Sequence, residues 1–185
     1  MQIERTKIDG VLILTPKRFG DDRGWFAETY TRKSLAEAGF NKEFVQDNHS
    51  YSKPIGTVRG LHYQTEPFGQ DKLVRCIAGG CLDVIVDIRH GSPTFGQHVS
   101  VELTAGNGVA VLVPIGMAHG FCTTAHDTEV TYKVTNYYSK PHDGGILWND
   151  PDLKITWPIA TEAAHLSEKD QKAPRLADLP ALFHY

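Results

Sequence analysis

Cysteine is scarce in this 185-residue chain: Cys76, Cys81 and Cys122 are the only three. None sits in a CxxC pair, and an odd, sparse set builds no disulfide framework, which fits a reducing compartment. Long apolar runs are missing too. Nothing approaches the roughly 18 apolar residues of a membrane helix, and Met1 leads into Gln-Ile-Glu-Arg rather than into a basic-then-apolar signal segment. A soluble cytoplasmic protein with no membrane partner is expected. There is no excess of positive charge: the formal net charge is -3, and lysines and arginines are scattered singly or in pairs. That distribution offers no electrostatic footprint for nucleic acid. Closely spaced histidines are absent as well. The nine histidines include no pair two to four residues apart, and Gly60 and Gln64 flank His62, so the tight His-x-His of barrel-type metal sites does not occur. No repeat, low-complexity stretch or linker interrupts the chain, and its length suits one domain over residues 1–185.

What is present is β-type sequence. Val11–Leu14 reads as a strand closed by Pro16, Arg18–Gly24 as a loop, and Trp25–Tyr30 has β composition. From Phe44 onward short strands follow at regular spacing: Phe44–Tyr51, Val58–Gln64, Lys72–Ala78, Leu82–Ile88, His98–Leu103, Val109–Val113, Gly120–Thr124 and Thr128–Tyr138. Turn chemistry such as Gly79-Gly80, Gly91-Ser92-Pro93 and Gly106-Asn107-Gly108 separates them, the pattern of a sandwich or barrel. Leu82–Ile88 alternates at its ends, predicting one core face and one more polar face. Two short helices are expected, over 31–39 with Thr31 and Gly39 as caps and over 167–172. The segment around His142–Gly145 reads as a loop, and Ile155–Trp157 as a brief closing strand.

The stretch Val58–Gln64 carries a guanidinium, an imidazole, a phenol and an amide, and Gly60 interrupts it where a strand would have a side chain. Such a glycine marks a bulge or a close backbone approach. His62 is either a hydrogen-bonded core histidine or a general base. Tyr132 and Tyr138 share the parity of Val130 and Val134, so both point inward if the strand is regular. Each is a core tyrosine with a satisfied hydroxyl, or one is a general acid and the other a plate for stacking a base. Lys72 opens its strand on the face of Val74 and Cys76; it is solvated there, or it is a donor to an oxyanion. Asp170 follows Ser167 in a pattern resembling a capping box, and it either caps the helix or orients His62. Arg23, Arg59, Gln46 and Asn48 are of phosphate- and sugar-binding type, though each taken alone reads first as a surface or structural residue.

The ordered motifs Asp22-Arg23-Gly24, Phe44-Val45-Gln46-Asp47-Asn48-His49-Ser50, Arg59-Gly60-Leu61-His62-Tyr63-Gln64, Lys72-Leu73-Val74-Arg75, Ser92-Pro93-Thr94-Phe95-Gly96, Ala118-His119-Gly120-Phe121, Tyr132–Tyr138 and Trp148-Asn149-Asp150-Pro151 closely resemble the dTDP-4-dehydrorhamnose 3,5-epimerase family. The resemblance runs from about residue 3 to about residue 180. It implies a cupin-type jelly-roll barrel, a homodimer, and a dTDP-sugar substrate inverted at carbons 3 and 5 without metal or organic cofactor. By resemblance His62 matches the base, Asp170 its dyad partner, Tyr132 the proton donor, and Lys72 the group facing the 4-keto oxygen. Tyr138 matches the ring that stacks on thymine. Arg23, Glu28, Gln46, Asp47, Asn48, Arg59, His119, Asp143 and Lys169 match substrate-binding positions. Trp25 stands where phenylalanine is common, Asp71 where a small residue is common, and Asp143 where some members carry glutamate.

The rival readings are an epimerase acting at one carbon, a ketoisomerase on a similar sugar, and a non-catalytic cupin that binds a nucleotide sugar or holds a metal. One tension stands inside the leading reading. In a regular strand Arg59 and His62 point to opposite faces, yet both are carried over as ligand-facing. A bulge at Gly60, or an arginine reaching a neighbouring subunit, would reconcile them.

Overall fold

The computed structural model describes all 185 residues. The architecture is the expected mainly β, cupin-type jelly roll with short helices at its margins. A six-stranded sheet runs in the order Gln2–Arg5, Leu12–Thr15, Ala110–Val113, Lys72–Ala78, Thr128–Val134, Gln46–Ser52. A five-stranded sheet runs His98–Thr104, Gly80–Asp87, Met117–Thr123, Val58–Gln64, Asp143–Gly145. Period-2 alternation divides each strand between two layers. Val74, Cys76 and Val130 of the first sheet meet Cys81, Ile85, Met117 and Phe121 of the second in the interior. The opposite face of the five-stranded sheet, with Leu61, Val84 and Val86, packs under C-terminal residues Ile146, Leu153 and Phe183. The outer face of the six-stranded sheet is covered at Leu12, Leu73 and Leu112 by Leu35 of the helix Arg32–Glu37.

That layering corrects the reading of the 82–88 segment. Both of its faces are buried: the side of Asp83 and Ile85, taken as more polar, lines the interior between the sheets, the C-terminal chain roofs the Val84 and Val86 side, and the observed strand Gly80–Asp87 starts two residues earlier. Four other expectations also change. The strand from Thr128 stops at Val134, whose partner Gln46 opens the neighbouring strand. Beyond it side chains take over the backbone's hydrogen bonds: Gln70 donates to the Asn136 carbonyl, Gln64 donates to the Tyr137 carbonyl, and the Ser139 amide donates to Gln64 Oε1. Residues 143–145 form a short strand on the edge of Val58–Gln64 instead of a loop. Ile155–Trp157 makes no ladder; Trp157 instead packs against Trp148 and donates its indole N–H to that residue's carbonyl. The closing strand is Phe183–His184, parallel to Arg89–His90. Residues Arg18–Asp21 and Gly24–Ala27 form a separate hairpin where a loop was expected to lead in.

At Gly60 the expected bulge is present. His119 pairs with His62 and Phe121 with Arg59, so two steps on one strand answer three on the other. The extra residue reverses the parity between Arg59 and His62 and turns both toward the same cavity. Gly60 has φ +117°, and a Cβ there would lie 2.6 Å from the Gly120 Cα and 2.7 Å from the His119 carbonyl oxygen. Only glycine accepts both that conformation and that approach.

Candidate active site

A cleft of about 720 Å³ opens between the sheets, lined by Arg59, His62, Lys72, His119, Tyr132 and Asp170 among others. A second cavity of about 330 Å³ adjoins it through His62, Lys72 and Tyr132, and adds Gln46, Asn48, Tyr138, Asp143 and Lys169.

His62 is held from across the molecule. Its Nε2 lies 2.5 Å from Asp170 Oδ1, a partner 108 residues away in sequence. The helix Glu168–Gln171 makes this contact possible. Ser167 caps it by accepting the Asp170 amide, and the Asp170 carboxylate is thereby left free to reach the strand. Asp170 is thus both a first-turn acid of the capped helix and the imidazole's partner. Burial pushes its carboxyl up, but the hydrogen bond and charge of His62 outweigh burial and hold it below the usual carboxylate range. One ring nitrogen of His62 is committed to Asp170, and the other is left with its lone pair.

Lys72 starts the strand Lys72–Ala78 on the interior face, and its ammonium has neither ion-pair nor hydrogen-bond partner. Desolvation lowers it to about 8, against the opposing pull of the Asp143 and Asp83 carboxylates. Tyr132 stands on the neighbouring strand opposite Val74. Burial raises its phenol above the ordinary value, partly offset by the Arg59 charge, so it remains protonated at neutral pH. Arg59 is anchored by its Nε to Ser52 Oγ at 3.1 Å and by Nη2 to the Tyr51 carbonyl at 3.0 Å. At the rim, Lys169 pairs with Asp143, and the Tyr138 hydroxyl donates to the same carboxylate. Gln46 donates to Asn48 on the strand Gln46–Ser52.

Not every expected residue arrives by the expected route. Tyr138 lies past the end of its strand, so it reaches the rim from a loop and is 61% exposed rather than inward-facing. Asp47 alternates out of the cleft: it faces the outside of the sheet and binds Lys133 Nζ at 2.8 Å. Arg23 sits in the turn of the separate hairpin, paired with Asp21 and nearly fully exposed, and Glu28 follows that hairpin on the surface. Neither borders the cleft of its own chain. The residue that sequence reasoning missed is Asp83. It is fully buried beneath the cleft and its Oδ2 accepts from His119 Nε2 at 2.8 Å. Its signal was legible: a carboxylate at the interior parity between Cys81 and Ile85. No group of three or more His, Cys, Asp or Glu side chains converges on a point where a metal ion could be held.

This arrangement supplies a base with an oriented imidazole, a protonated phenol, and an unpaired ammonium in a restricted cavity. That is the equipment for proton abstraction next to a carbonyl. Comparison with known proteins agrees. Residues 5–178 match the family profile described as dTDP-4-dehydrorhamnose 3,5-epimerase. A protein of that name from Sinorhizobium fredii is 49% identical over 189 residues, spanning 100% of this chain and 94% of its own length. The crystal structure of dTDP-6-deoxy-D-glucose-3,5-epimerase from Legionella pneumophila, in complex with dTDP-4-keto-L-rhamnose, superposes with a TM-score of 0.94 at 43% identity, covering 100% of this chain and 98% of the other. A double mutant of a 3′-monoepimerase from Streptomyces bikiniensis, solved with dTDP, gives a TM-score of 0.90 at 33% identity over 98% of this chain and 92% of its own.

Proposed function

The chain belongs to the dTDP-4-dehydrorhamnose 3,5-epimerase family, and from that premise we propose that His62 with Asp170, Tyr132 and Lys72 carry out its proton transfers. The activity is inversion of carbons 3 and 5 of dTDP-4-dehydro-6-deoxy-D-glucose, giving dTDP-4-dehydro-L-rhamnose in dTDP-L-rhamnose biosynthesis.

A proton beside a ketone leaves only if the enolate is stabilised. His62 takes the proton from one face of the sugar, with Asp170 fixing its tautomer and stabilising the imidazolium that forms. Lys72, cationic below about pH 8, faces the developing oxyanion at O4. Tyr132 returns a proton from the opposite face, which is what turns exchange into inversion. No oxidant, metal or organic cofactor is needed to balance these steps. Arg59, His119, Gln46 and Asn48 hold the nucleotide and sugar, Tyr138 stacks on thymine, and Asp143 with Lys169 shapes the rim. Binding of the remote diphosphate and base positions the reacting ring. The observation that carries this reading is the His62–Asp170 pair at the mouth of a cavity that also holds the unpartnered Lys72.

The working form is a homodimer in the cytoplasm. The hairpin bearing Arg23 exposes Phe19, Trp25 and Phe26 at 56%, 58% and 69%, an apolar tip that a second copy would cover. A second copy would also give Arg23 and Glu28 the cleft they lack in their own chain. The roles are separated by Tyr132→Phe. It should lose most of its inversion while His62 continues to exchange substrate protons with solvent, read by proton NMR of the sugar in heavy water. Equal loss of exchange and inversion would remove Tyr132 from the acid's role.

A further inference from the structure

Two polar groups inside this molecule are left without a direct partner, one oxygen of Asp83 and the ammonium of Lys72. Asp83 Oδ1 is the one buried side-chain polar atom without a hydrogen-bond partner. Lys72 has no partner either, although its carbon stem is packed on the same interior face as Val74 and Cys76. Asp83 projects into that interior between Cys81 and Ile85 from the facing sheet. A buried acceptor left unmade is costly, and apolar residues at its neighbours' positions show what the site would hold if packing alone mattered.

Arg59, His62, His119, Tyr132 and Asp170 line the cleft with Lys72; Asp143 and Lys169 line the adjoining cavity, and Asp83 acts on Lys72 from the facing sheet. Two of them are carboxylates that favour its charged form. Asp143, the nearer in effect, is bound to Lys169, and the pair acts on Lys72 with opposite signs. Their contributions offset each other in part. Asp83 is joined only to His119, through Oδ2, and its Oδ1 stays without a partner below the cleft.

We propose that Asp83 is a positioning residue for Lys72: its free Oδ1, fixed behind His119, is the permanent counter-charge that holds the ammonium ready for the enolate oxygen. The inference rests on the epimerase reading, which assigns Lys72 to that oxygen. It also explains why His119 and Asp83 are joined. The imidazole N–H occupies Oδ2 and turns Oδ1 away from itself, so His119 orients the carboxylate that serves Lys72.

The test is the pH dependence of kcat/KM for Asp83→Asn, which keeps the shape of the side chain and removes the charge. The alkaline limb should move down by about one pH unit, the scale on which a nearby opposite charge moves an ionisation. Above the limb this is roughly a tenfold loss of rate. In a Lys72→Met background the same Asp83→Asn change should alter the rate of solvent exchange by less than about twofold, because the partner is already gone. An unmoved limb, or an equal loss in both backgrounds, overturns the proposal and marks Asp83 as structural. If Asp83→Asn does not fold, the wild-type protein provides the reading. The 13C shift of the Asp83 carboxyl should be that of a carboxylate and should follow the titration of Lys72; a neutral carboxyl, or one blind to that titration, overturns it. Failure of the epimerase reading itself is distinguishable, since wild-type protein would then leave dTDP-4-dehydro-6-deoxy-D-glucose unchanged at every pH.

Discussion

His62→Ala should lower kcat for epimerisation by about 10²- to 10⁴-fold, the usual contribution of a positioned general base, while dTDP binding measured by calorimetry stays intact. The separation follows from geometry. His62 faces the sugar end of the cleft, whereas Arg59, Gln46, Asn48 and Tyr138, the groups assigned to nucleotide and diphosphate, are anchored by other elements. The substitution also strips a buried carboxylate of its partner, since Asp170 is 4% exposed. Removing one member of a buried pair costs up to about 3–5 kcal/mol of stability, less here because solvent reaches the imidazole. His62→Asn retains an N–H for Asp170 and should show the same kinetic loss in a more stable protein. If His62→Asn restored activity, the imidazole would be an orienting group rather than the base.

Lys72→Met should lower kcat and kcat/KM together, by about 10²- to 10³-fold or roughly 3–4 kcal/mol, the effect of removing one donor to a developing oxyanion. An equal fall in both constants is the mark of an interaction made only in the transition state. The ammonium makes no direct hydrogen bond or ion pair in the folded chain, so the isosteric methionine breaks none on which the fold depends. Thermal stability should be preserved or raised. A rise in KM with kcat unchanged would contradict this and make Lys72 a binding group. The wild-type enzyme gives a complementary sign. Because desolvation holds Lys72 at about 8, its cation is lost as pH rises through that value, and the Lys72 contribution to activity should be lost on the alkaline side.

Much of the strand framework was legible because apolar alternation and turn chemistry are local. Val58–Gln64 and Lys72–Ala78 appear with the expected bounds. Gly60 announced its bulge for the same reason: a glycine inside a strand has few structural uses. What was illegible depended on the neighbouring layer. The strand Gly80–Asp87 looked one-sided because sequence does not show that the chain past Ile146 folds back over it. Tyr138 was assigned by parity along a strand that ends four residues earlier, where Gln64 and Gln70 capture the backbone. Asp47 was carried over between Gln46 and Asn48, but alternation allows only every second residue into the cleft, and Lys133 waits on the other side. Asp170 shows both sides of the matter. Its local pattern is a helix cap, and it does belong to a capped helix; its contact with His62 spans 108 residues, and the residues left it as one of two readings until the family resemblance favoured it.

The most direct test of the account is deuterium incorporation during a single turnover of dTDP-4-dehydro-6-deoxy-D-glucose in heavy water, run side by side with wild-type protein and His62→Ala. The account predicts one solvent deuteron at carbon 3 and one at carbon 5 of the wild-type product, and at neither carbon with His62→Ala. Incorporation at only one carbon by the wild-type protein, or undiminished exchange in the variant, would contradict it.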